Sequence, residues 1–129
     1  MKTARDLLST RVAVVKPTQR LKDVAEDIAA REAIYCAVME ESGKFAGLVR
    51  LTEIVRRSAD RIFADLVADA YPLDISESLE AGLVIKLLQA QGCNELVVLG
   101  AHQRYVGLVT RDSVFAWWSS QQKLDQPGR

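Results

Sequence analysis

The chain has 129 residues, 49% of them apolar, with 17 Lys and Arg set against 17 Asp and Glu. That mass suits one domain with an adequate core, and a formal net charge of zero argues against nucleic acid as the main partner, because phosphate-backbone binding demands a basic surplus. No apolar run reaches membrane-spanning length and the first residues lead into no signal-peptide core, so the expectation is a soluble, cytoplasmic protein without a membrane partner.

In chain order, residues 3–8 read as a short helix carrying Leu7 and Leu8. Val12-Ala13-Val14-Val15 is a β-rich run ended by Lys16-Pro17. Thr18 is placed to cap the next helix, on which Leu21, Val24, Ala25 and Ile28 form one apolar stripe. Ile34 to Met39 and Phe45 to Val49 are strands around the polar turn Glu40-Glu41-Ser42-Gly43-Lys44, which makes a β-hairpin. A helix from about Leu51 to Ser58 closes the unit; Arg56, Arg57 and Arg61 read as its solvated basic face.

The same order then returns. Ile62 to Val67 is a short helix, and Tyr71 to Ile75 is a weaker strand, interrupted by Pro72 and so expected at an edge. Ser76 or Ser78 starts a helix with Leu83, Val84, Leu87 and Leu88 as its stripe, about two residues longer than its first-copy counterpart; Gly92 ends it. Glu95 to Leu99 and Arg104 to Val109 form a second hairpin around Gly100-Ala101-His102-Gln103. Thr110 starts a helix running to about Gln122, and the polar stretch from Lys123 to Arg129 is expected to fray.

The repetition is visible residue by residue. Phe45-Ala46-Gly47-Leu48-Val49 returns as Tyr105-Val106-Gly107-Leu108-Val109, sixty positions later, and Ala37-Val38-Met39 aligns with Val97-Val98-Leu99 at the same offset. A period this long marks one supersecondary unit used twice. The divisions are residues 1–59, 60–122 and a polar tail 123–129. The expected fold is mixed α/β, with two β-α-β-β-α repeats packed in pseudo-twofold symmetry and function sought between them.

Two such repeats resemble a tandem pair of CBS domains, the cystathionine-β-synthase-type repeats that together form a Bateman module. Leu8-Ser9 and Val67-Ala68 stand where that family often has Met-Thr before its first strand. Gly92-Cys93-Asn94-Glu95-Leu96-Val97-Val98-Leu99 resembles the family's Gly-Ile-Ser-Arg-Leu-Pro-Val-Val, and Glu32 to Met39 does so more loosely. The closing pattern is Gly, two apolar residues, Ser or Thr, two variable residues, then Asp or Asn.

The resemblance implies a stand-alone regulatory module that binds an adenine nucleotide (AMP, ADP, ATP or S-adenosylmethionine) in the inter-repeat cleft and signals in trans to a regulated protein. The residues this points to are Val14, Arg50 and Glu53 in one site and Asn94, Thr110, Asp112 and Ser113 in the other. A Thr hydroxyl beside free N–H groups at a helix start can hold a phosphate, and a carboxylate one turn later can accept ribose hydroxyls.

Both copies depart from the pattern. Copy two keeps Thr110 but has Ser113 at the acid position, with Asp112 one residue early and so rotated by about 100° around the helix. Copy one has Glu53 at the acid position and Arg50 at the hydroxyl position, where a guanidinium can either pair with a phosphate or fill the pocket. A cation at a helix start costs roughly 0.3–1 kcal/mol, which hints at an anionic partner unless Thr52 is the true cap. Thr110 and Asp112 also make a good helix start with no ligand at all. The degenerate signatures support an alternative, a ligand-free dimerisation and docking module.

The remaining chemistry is sparse. His102, the only histidine, falls in a turn with no nucleophile motif beside it. Cys36 and Cys93 have neither CxxC spacing nor equivalent positions in the repeat, so they read as buried free thiols; no metal site, required cofactor or enzymatic constellation is expected. Trp117 and Trp118 point about 100° apart on a helix. One is expected to cover core and the other to lie at a homodimer contact.

Overall fold

The structure, a computed structural model, describes residues 1–54, 60–67 and 73–124. The first repeat forms β1 (Val12–Val15), α1 (Leu21–Arg31), β2 (Tyr35–Met39), β3 (Phe45–Arg50) and α2 (Leu51–Ile54). After α3 (Phe63–Leu66), the second forms β4 (Asp74–Ser76), α4 (Ala81–Gln91), β5 (Glu95–Leu99), β6 (Tyr105–Thr110) and α5 (Arg111–Leu124). A 3-10 turn, Ala4–Leu7, precedes the first repeat. The fold is thus mixed α/β, with two three-stranded sheets ordered β1-β2-β3 and β4-β5-β6. β1 runs parallel to β2, as a strand-helix-strand crossover requires, and β2 runs antiparallel to β3, as a hairpin requires.

Each sheet anchors a compact unit, and the units regroup the sequence. The first-sheet unit takes residues 10–72 with 100–105; the second-sheet unit takes 1–9, 73–99 and 106–129. The lead-in segments dock alike. In the second-sheet unit, Ala4 N–H donates to the Leu79 carbonyl at 2.9 Å and Thr3 bridges Glu80; in the first-sheet unit, Phe63 N–H donates to the Gln19 carbonyl at 2.9 Å and Ile62 bridges Arg20. Each lead-in then ends on a glycine: Leu8 lies over Gly107 in one unit and Val67 over Gly47 in the other. A side chain at either glycine would occupy the space of that aliphatic group, which is why this pair of glycines recurs in the repeat.

The cores follow the strand period. In the first-sheet unit Ala13, Val15, Cys36, Val38 and Val49 share the face covered by α1 and α3, where Phe63 is fully buried. In the second-sheet unit Leu7, Ile75, Val84, Leu88, Val98 and Val109 form the counterpart. The helical stripes are narrower than expected. Ala25 is exposed on α1, and Leu83 is exposed on α4 because the buried line there is Ala81, Val84 and Leu88.

Several element boundaries differ from expectation. Thr18 does not cap α1. It sits in the turn closed by Gln19 N–H to the Lys16 carbonyl, and Arg20 precedes the helix with its N–H donated to Asp23 Oδ2 at 2.8 Å. Ser76 and Ser78 do not cap α4. Ser76 is paired in β4, the two hydroxyls lie 3.0 Å apart, and Glu80 is the cap, accepting from Gly82 N–H. The helices α1 and α4 are equal in length, 11 residues each. The turn 100–103 is a 3-10 turn in which His102 and Gln103 are left-handed, with φ of 58° and 61°. The expected helix residues 55–58, the Arg56-Arg57 pair, the start of the weak strand at Tyr71-Pro72 and the tail from Asp125 lie outside the described residues. No helix among the described residues is long and apolar enough to cross a membrane.

Candidate functional site

In the first-sheet unit the strand registers set out one face in rows. Val12, Tyr35 and Arg50 are aligned across the three strands, and Val14, Ala37 and Leu48 form the next row on the same face. The rows are two residues apart, about 6.7 Å along a strand. Arg50 is half-buried at the last position of β3, and Val14 is 46% exposed. The structure therefore brings Val14 and Arg50 to one surface. Glu53 follows in α2, on backbone positioned by Leu51 N–H donating to the Ile34 carbonyl at 3.1 Å. Arg50 ends a strand here, so Thr52 is a residue of α2 and not its cap.

The same face continues into a cavity of about 320 Å³ lined by Val14, Val15, Lys16, Gln19, Met39, Glu40 and Glu41. Its wall mixes apolar strand with a cation, an amide and two carboxylates. Sequence reading treated Glu40 and Glu41 only as turn residues. The period-2 continuation from Tyr35 through Ala37 to Met39 was the signal that this face extends to the strand ends.

In the second-sheet unit, β6 runs directly into α5 through Thr110. Thr110 is only 3% exposed. It and Ser113 close a reciprocal cap: Thr110 N–H donates to Ser113 Oγ at 2.8 Å, and Ser113 N–H donates to Thr110 Oγ1 at 3.0 Å. The Ser113 hydroxyl also donates to the Thr110 carbonyl at 3.0 Å. Asp112 is exposed on the same turn, and Asn94 is exposed just before β5. Arg111 ties these segments together, its Nε–H reaching the Cys93 carbonyl at 3.2 Å. Glu95, buried to 4% exposure, and Thr110 are the two buried polar side chains among the described residues. The structure thus joins Thr110 to Ser113, while Asp112 and Asn94 face solvent.

A groove of about 300 Å³ lies between α4 and α5, lined by Ile85, Leu88, Gln89, Arg111, Val114, Phe115 and Trp118. Phe115 is 67% and Trp118 51% exposed, with ring centroids 6.1 Å apart, whereas Trp117 packs on the core. The split between the two indoles is the one their helical spacing implies. Cys36 is fully buried and burial pushes its thiol up to about 12, with Asp27 adding to the effect; Cys93 is half-buried rather than buried. No cluster of three or more His, Cys, Asp or Glu placed to hold a metal ion occurs among the described residues.

Comparison with known proteins bears on this geometry. Residues 4–60 match the family model described as CBS domain. The solved protein MJ1004 from Mathanocaldococcus jannaschii superposes with a TM-score of 0.79 at 15% identity, covering 92% of this chain and 60% of that one. The CBS-pair protein CBSX2 from Arabidopsis thaliana superposes with a TM-score of 0.71 at 21% identity, covering 96% of this chain and 98% of its own, and CBSX2 is also known in complex with AMP. The CBS domain of the bacterial CNNM/CorC family Mg2+ transporter, solved with ATP, gives 0.69 at 18% identity over 90% of this chain and 86% of its own. A curated relative, the L-aspartate semialdehyde sulfurtransferase of Methanosarcina acetivorans, is 20% identical over 112 residues, and this chain spans about a fifth (22%) of its length. Residues 4–60 are thus similar to the CBS domain, and the chain as a whole has the fold of tandem CBS-domain proteins.

Proposed function

We propose that this chain is a regulatory module of two CBS repeats, residues 1–59 and 60–122, that binds an adenine nucleotide and signals in trans to a protein partner. The single observation that carries the reading is the half-buried Arg50 on the same strand face as the exposed Val14. A guanidinium offers a planar donor fork for a phosphate, and the exposed Val14 side chain offers an apolar contact for a purine. Glu53, on the helix that follows, supplies the carboxylate for a ribose. The AMP complex of CBSX2 and the ATP complex of the transporter domain support the choice of ligand class. Ligand binding would favour one arrangement of the module, which a partner reads. The role we assign to it is regulatory.

Thermal shift with AMP, ADP, ATP and S-adenosylmethionine tests this. A ligand at 100 times its Kd contributes about 2.7 kcal/mol to stability, a rise of several degrees in Tm. Arg50→Ala should weaken the nucleoside phosphates at least tenfold. No stabilisation by any of the four at millimolar concentration would remove the reading.

A second reading, a ligand-free dimerisation and docking module, is favoured by the exposed Phe115 and Trp118 beside an apolar groove. Either reading expects a homodimer with Trp118 in or near the contact. Sedimentation should show a dimer at micromolar concentration and a monomer for Trp118→Ser; a monomeric parent protein would refute the dimer.

A further inference from the structure

Resting on that reading, we propose that Ser113 closes the second-sheet unit to phosphate, so that each chain takes up one nucleoside phosphate and not two. The two halves offer equivalent positions at the strand-to-helix junction, Arg50 before α2 and Thr110 before α5, sixty residues apart. A phosphate at the start of α5 would need outward-facing N–H groups and a hydroxyl donor. The structure has turned part of that equipment inward. Two of the N–H groups at this helix start, those of Thr110 and Ser113, are satisfied by the two side chains of the reciprocal cap. The Ser113 hydroxyl is used in both directions, accepting from Thr110 N–H and donating to the Thr110 carbonyl. Thr110 itself is 3% exposed.

The nearest acid points the same way, and the cation that opens the helix, Arg111, is turned to the Cys93 carbonyl. Asp112 places a carboxylate in the first turn of α5, where it complements the positive end of the helix in place of a bound anion. Serine at position 113 is the determinant, because a side chain that short folds back onto Thr110 instead of extending toward a ribose.

Isothermal titration with AMP tests the inference on the intact chain, alongside Ser113→Ala. The expected result is one AMP per chain for the parent, with Ser113→Ala binding no more weakly than the parent and Arg50→Ala at least tenfold weaker. Two AMP per chain would overturn the inference while leaving the nucleotide reading standing. So would a tenfold loss for Ser113→Ala at unchanged Tm. A parent protein that gives no heat with AMP and no thermal shift with any adenine nucleotide would overturn both.

Discussion

The two units share a framework and differ in what they hang on it. Each has a parallel strand pair bridged by an 11-residue helix, a return strand beside it, and a lead-in segment docked by matching backbone bonds. The lead-ins align as Ala4-Arg5-Asp6-Leu7 and Phe63-Ala64-Asp65-Leu66, yet one puts a methyl group in its core and the other a phenyl ring. The junctions diverge further, with a cation before α2 and a self-satisfied cap before α5. Backbone hydrogen bonds and the close approach at the glycines tolerate little change. The junction side chains project from that frame and were free to specialise. The asymmetry is therefore chemical more than architectural.

The largest test of this equivalence is steric. An alanine at Gly47 would place its Cβ into Val67 Cγ1, with Val67 Cβ only 3.2 Å away; an alanine at Gly107 would meet Leu8 Cδ2 at 2.7 Å and Cδ1 at 2.9 Å. The branch points Val67 Cβ and Leu8 Cγ both lie at 3.2 Å, but Val67 is β-branched and stiff at χ1. Leu8 presents the far end of a longer side chain that can turn aside. Overpacking of this kind costs about 1–3 kcal/mol. Gly47→Ala is expected at the upper end and Gly107→Ala at the lower, measured by chemical denaturation. Adding Val67→Ala to Gly47→Ala should recover more than half of the loss. The reverse order, or no recovery, would mean that the two lead-ins do not perform the same task.

Much of this was legible in the sequence, and for physical reasons. The strand runs, the hairpins and the offset between Gly47 and Gly107 all follow from local period and spacing, and these are what the backbone enforces. Leu8 and Val67 fall at equivalent positions in the sequence, although nothing local says that they pack on glycines far along the chain. Caps were harder to read. Thr18, Ser76 and Ser78 have good capping side chains but stand three to five residues before the first helical residue, in turns or at a strand end. At the candidate site, Arg50 and Val14 share a face only because β1 and β3 both pair with β2, a register no short motif encodes. The inward turn of Ser113 was within reach, since Thr-x-x-Ser is a variant of the capping-box spacing. Reading the position only as a missing acid hid it.

The smallest effect expected is a gain. Both 11-residue helices end in a left-handed residue, but α4 ends at Gly92 with φ of 60° and α1 ends at Glu32 with φ of 50°. An L-residue in that conformation is strained by roughly 1–2 kcal/mol relative to glycine, part of which is offset because glycine loses more freedom on folding. The exposed Glu32 side chain carries none of the local backbone bonds. Its carbonyl accepts from Arg11 Nε–H at 3.0 Å, and its N–H closes the helix on the Ala29 carbonyl. Glu32→Gly should therefore stabilise the protein by about 0.5–1 kcal/mol. Gly92→Ala should do the opposite by a similar amount, since an added Cβ there meets nothing within 4 Å and the strain acts alone. Denaturation midpoints of the two variants give the comparison directly. If Glu32→Gly destabilised the chain, the glutamate would be contributing more than its conformation costs, and the two helix ends would differ in function as well as in residue.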